Sequence, residues 1–108
     1  MTTTKRKLPS DYLAQGWCQR EYAQKKSGKS VYYDAVDACS WCLWGAMEIA
    51  LWNHNIDNQE SNKLGRWLFD HNYDVPWNDA PSRTQAEVVA VMLEAEAAVL
   101  RRSTEAAP

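Results

Sequence analysis

Cys39-Ser40-Trp41-Cys42-Leu43-Trp44-Gly45-Ala46-Met47 is the stretch whose reading decides the fold. Across residues 35–52, Val36, Cys39, Leu43, Ala46 and Ala50 fall on one helical stripe, and Trp41, Trp44, Met47 and Leu51 fall on others. A helix that is apolar nearly all round belongs in the middle of a small domain. Asp34 is placed to cap it, with Asp37 in the first turn favourable to its dipole. Gly45 costs about 1 kcal/mol in a helix interior, which predicts close approach of a neighbouring backbone or ring. The run nears membrane-spanning length, but Asp37, Ser40 and Glu48 interrupt it, and it reads as a buried soluble helix.

Upstream, Pro9 suits the first turn of a short helix, Leu13 faces inward, and Gly16 ends it in the left-handed conformation. Two aromatic or β-branched runs in residues 17–33 flank Gln24-Lys25-Lys26-Ser27-Gly28 and predict a hairpin. A two-stranded ribbon is marginal alone and must pack on the helices. Downstream, Leu64, Trp67 and Leu68 mark a third helix, capped by Asn58 or Ser61 and ending near Asn72. Asp74-Val75-Pro76 is expected to be extended, because the residue before proline avoids the helical region. Thr84-Gln85-Ala86-Glu87 is a capping box. It opens a helix over residues 84–102 with Val88, Val91, Met92, Ala95 and Val99 inward and Glu87, Glu94 and Arg101 outward.

These elements amount to a mainly α fold: a small helical domain of three to four helices with a short β-hairpin between helices 1 and 2. It occupies residues 8–102, between a basic tail at 1–7 and a second tail at 103–108. The chain has 108 residues, enough for one core. A formal charge of -2 argues against a dedicated nucleic-acid module and gives no electrostatic reason to bind an anionic membrane. An odd count of three cysteines, with no basic-then-apolar leader before Leu8, predicts a reducing cytoplasm. Six tryptophans are many for this length. Trp needs a partner for its indole N–H, so several are expected at the core edge or at an interface.

Several blocks resemble the DUF6197 family of small domains without an established activity, found in bacteria and phages. They are Gly16-Trp17-Cys18-Gln19, Tyr22-Ala23 before the Gly28 turn, Trp41-Cys42-Leu43-Trp44-Gly45-Ala46, Trp77-Asn78-Asp79, and Arg83-Thr84-Gln85-Ala86-Glu87-Val88. The resemblance runs in order over roughly residues 8 to 100 and implies a mainly helical domain, while Cys39 has no counterpart in the family pattern. It implies no reaction, ligand or partner.

For chemistry, the leading expectation is a non-enzymatic cytoplasmic domain of adaptor or inhibitor type, acting on a protein partner or a second copy of itself. Trp52, Trp67, Tyr32 and Tyr33 are its expected interface anchors. The alternative is a small polar or anionic, nucleotide-like ligand held by Asn78, Asp79, Arg83 and Thr84 beside Trp41 or Trp77, since a loop ahead of a helix offers free N–H groups. Against it stands a structural role, in which Asn78 and Asp79 bond loop backbone and Arg83 pairs with Asp79 or Asp74. No cofactor is expected. Zinc on Cys39 and Cys42, completed by Cys18, His54 or His71, is the weaker alternative, because one CxxC within an apolar helix lacks a second clear pair. His54 and His71 near helix ends read as caps rather than catalytic bases.

Overall fold

The computed structural model describes residues 6–101. Most of the expected tails, and Arg102 at the foreseen helix end, lie outside the described residues. The elements run α1 (Pro9–Gln15), β1 (Ala23–Lys25), β2 (Ser30–Val31), β3 (Ala38–Trp41), α2 (Leu43–Trp52), α3 (Asn58–Asp70), α4 (Val75–Asn78) and α5 (Gln85–Glu96). A π-helical turn, Ala97–Arg101, continues α5. The protein is helix-rich with one small antiparallel sheet, ordered β2-β1-β3.

The central run is not one helix. Residues 38–41 form a strand, in which Ala23 faces Trp41 and Gln24 faces Ser40. The thiol of Cys42 then caps α2 by accepting the Gly45 N–H at 3.3 Å. Hydrophobic periodicity cannot see this break, because cross-strand pairing satisfies the backbone of residues 38–41 as well as a helix would. Asp34 caps nothing, and Val36 is fully exposed. The other half of the stripe holds: Leu43, Ala46 and Ala50 are buried.

Two glycines explain how sheet and helices come so close. A Cβ on Gly45 would lie 2.0 Å from the Tyr22 carbonyl oxygen, the close backbone approach that was expected, although Gly45 lies in the first turn of α2 rather than in a helix interior. Gly16 is extended, with φ -173°, rather than left-handed. Its lack of a side chain instead admits the Cys39 carbonyl, 2.0 Å from where a Cβ would be. Gly16 also accepts the Trp41 N–H at 3.0 Å, and the Trp41 carbonyl accepts from Cys18, so the chain after α1 continues alongside β3.

In the core, Leu13 of α1 lies among Leu43, Ala46 and Ala50 of α2, Leu64 and Leu68 of α3, and Val88, Met92 and Ala95 of α5. α1 packs on both α5 and α2. The capping box foreseen at Thr84 is present. A second one, Asp57 with Glu60, starts α3 in place of the expected Asn58 or Ser61 cap. Asp74 is extended as expected, but Val75 and Pro76 are a correction, for they begin α4. Asp74 accepts the Trp77 N–H, and Pro76 sits in the first turn of α4, where its missing N–H costs nothing. Among the described residues no helix is long and apolar enough to cross a membrane.

Candidate functional site

Asn78 is only 1% exposed and ties three parts of the chain together. Its Oδ1 accepts the Trp17 indole N–H at 2.9 Å and the Leu43 N–H at 3.2 Å, the latter a donor left free at the start of α2. Its Nδ2 donates to the Cys18 carbonyl and to Asp79 Oδ1. Gln19 spans the carbonyls of Asn78 and Ala80, and the Arg20 N–H donates to Asp79 Oδ1 at 2.7 Å. The side chain of Asn78 is thus fully engaged in joining the segment after α1 to α4 and α2.

The other residues of the expected ligand loop do not converge with it. Arg83 donates from Nε to the Trp77 carbonyl, lies 3.9 Å above the Trp77 ring, and pairs with Glu87 at 3.5 Å. It therefore pairs with neither Asp79 nor Asp74. Thr84 caps α5. Trp41 is buried, packs edge-on against Tyr12, and donates its indole N–H to the Tyr33 carbonyl. Trp77 meets Tyr73 edge-on, beside the stacked rings of Trp67 and His71. His71 caps α3, its Nδ1 bonded to the Trp67 carbonyl at 2.8 Å. These rings staple α3, α4 and the start of α5, which accounts for Trp67 as packing as well as surface.

A different surface stays open. A groove of about 790 Å³ lies where α2 ends and α3 begins, with Tyr33, Leu51, Trp52 and Ile56 supplying apolar wall and Glu48, Asp57 and Glu60 acidic rim. Trp52 is 59% exposed at its edge. Tyr33 also borders a neighbouring hollow with Tyr32, itself 82% exposed. Arg6 shows what the rim accepts: its guanidinium donates to the Asn55 carbonyl at 3.1 Å and to Glu60 at 3.0 Å. The groove joins two expected anchors, Trp52 and Tyr33, with Tyr32 next door and Trp67 elsewhere on α3.

A family model described as a family of unknown function (DUF6197) matches residues 10–98. The chain belongs to the DUF6197 family. No curated protein and no solved structure matches it. The DUF6197 match takes in all but the first residue of α1 through α5, hence the Asn78 tie and the groove apart from Arg6.

The cysteines of this DUF6197 chain also need correcting. Cys39 and Cys42 do not share a helix face: Cys39 is exposed on β3 and Cys42 is buried at the start of α2. They do straddle a strand-to-helix junction, as a redox pair would. Burial raises the Cys42 thiol, however, and pushes Cys18 up to about 12, the opposite of the lowered pKa that reactive thiols need. Among the described residues no three His, Cys, Asp or Glu side chains gather as a metal site. Sequence reasoning missed Gln19, Arg20 and Trp17 as partners of the Asn78 segment, for they carry no local pattern.

Proposed function

We propose that this protein acts through protein–protein contact, using the groove between α2 and α3 to hold a partner segment that presents a basic side chain beside an apolar one. The observation that carries this reading is Trp52, a large aromatic side chain left exposed at the edge of a concave, acid-rimmed surface. Trp is the commonest interface anchor, and an apolar centre with a polar rim is usual interface anatomy. The charge preference has two supports. Arg6 already places a guanidinium on the rim, while Glu48 is an exposed carboxylate without an ion pair among the described residues. The carbonyl end of α2 adds partial negative charge there. Three free cysteines favour a reducing compartment such as the cytoplasm.

Selection from a displayed library of random peptides tests the chemistry. Enrichment of sequences with Lys or Arg next to Leu, Ile or an aromatic residue, lost for Trp52→Ala bait, supports the reading. Enrichment of acidic sequences, or binding that ignores Trp52→Ala, overturns it.

A further inference from the structure

A second cleft, separate from the partner groove, opens beside the Asn78 tie, between the segment after α1, the start of α2 and α4. It holds about 250 Å³, below the range of drug-sized sites and suited to one small molecule. Tyr22, Trp44 and Val75 form its apolar wall, and Arg20, Glu21 and Asp79 bring charges of both signs. None of the three is in an ion pair among the described residues. Asp79 uses only Oδ1 for its internal bonds, to the Arg20 N–H and to Asn78, and its other oxygen is unbonded. Glu21 accepts from Gln24.

The backbone around the cleft is fixed in advance. Arg20 stands at φ 71°, in the left-handed region that a non-glycine residue rarely adopts. The Asp79 carboxylate holds it there, and Gln19 fastens the adjoining residue to both ends of the Asn78–Ala80 turn. Strain retained beside a cleft, with an unpaired cation on the strained residue, is a pattern of binding sites.

We propose that this cleft binds a free α-amino acid with an apolar side chain, its carboxylate on Arg20, its ammonium on Asp79 and Glu21, and its side chain against Tyr22, Trp44 and Val75. A ligand with one charge leaves an opposite charge in the cleft unmatched, and a fully polar one leaves the apolar wall wet. Separate polar groups for each end of a small ligand are what give such sites their selectivity.

The test is a ¹⁵N-correlation NMR titration of the full chain with L-phenylalanine up to about 10 mM, with phenethylamine and 3-phenylpropanoate as single-charge controls. Expected are shifts at the Trp44 indole and at the Arg20 and Tyr22 amides, with each control binding at least roughly tenfold more weakly. Arg20→Gln and Asp79→Asn, the latter keeping the Oδ1 acceptor for Arg20, should each weaken L-phenylalanine by a similar factor. Exposed Tyr22→Ala gives a third variant that leaves the Asn78 tie in place. Absence of shifts, equal binding of either control, or shifts confined to the Trp52 groove would overturn the proposal.

Discussion

Ser10 gives both its backbone N–H and its hydroxyl to the buried carboxylate of Glu96, at 2.8 Å and 2.6 Å. This joins the first turn of α1 to the last turn of α5. Burial raises the Glu96 carboxyl above its ordinary value, the two Ser10 bonds pull the other way, Asp11 adds to the rise and Arg6 opposes it. The folded chain therefore keeps a proton here that the unfolded chain has already lost. That contribution to stability is present at acid pH and is lost as pH rises from the ordinary carboxylate range through the raised value. Glu96→Gln cannot ionise: its amide oxygen accepts the Ser10 N–H, and its amide N–H donates to the Ser10 hydroxyl oxygen, the reverse of the present bond. Urea midpoints from about pH 4 to about pH 8 should show the variant gaining on the parent as pH rises. A difference that is flat with pH contradicts this account.

Gly45→Ala sets two effects against each other. Helix propensity favours alanine by less than the ~1 kcal/mol of a helix interior, since Gly45 lies in the first turn, but the new methyl meets backbone, the Tyr22 carbonyl at 2.0 Å, which cannot rotate away. The steric effect should win, with a loss of roughly 2–4 kcal/mol, measured by urea denaturation. A stabilised variant would mean that the sheet does not cross α2 where it is placed.

Asn78→Ala strands the Trp17 indole N–H and the Leu43 N–H in the interior. Leaving buried donors unpaired costs about 1–3 kcal/mol each, so chemical denaturation should show a large loss. Arg83→Ala, removed from the half-buried surface over Trp77, should cost less than Asn78→Ala.

Local signals survived into the structure where they are truly local. The Thr84 capping box, Pro9 in the first turn, the inward face of α5 and the crowding at Gly45 each depend on neighbours a few residues away or on a single excluded side chain. Residues 38–41 form a strand rather than helix because their few apolar residues fit either period, and only pairing with β1, some fifteen residues upstream, decides between them. Glu96 was not singled out, although it lies four residues beyond Met92 on the buried stripe, where a carboxylate demands a partner. Arg20 and Gln19 were not legible, since their roles arise from a carboxylate and two carbonyls about sixty residues away. The site moved for the same reason. Asn78 and Asp79 were expected to serve either a ligand or their own loop, but Asn78 bonds Trp17, Cys18 and Leu43, one oxygen of Asp79 holds the Arg20 N–H, and Arg83 is spent on Trp77.

Thiol labelling checks the cysteine assignments. Cys39 is exposed, whereas Cys18 and Cys42 are buried and raised by that burial. An aromatic disulfide reagent at about pH 8 should modify Cys39 rapidly and the other two only after denaturation, with Cys39→Ser abolishing the fast phase. A fast phase that persists in Cys39→Ser would contradict the burial of the other two.

Affinity capture from the source cell's lysate, quantified by mass spectrometry for a set of point variants, tests the central claim most directly. Bait proteins would be the parent chain, Trp52→Ala, Glu48→Lys, and Phe69→Ala as a control at an equally exposed apolar residue on α3 outside the groove. The account predicts a protein enriched by the parent and by Phe69→Ala and lost with both Trp52→Ala and Glu48→Lys, each bait keeping the parent's melting behaviour. Enrichment that is the same for all four, or no protein enriched above an unrelated bait, would contradict it.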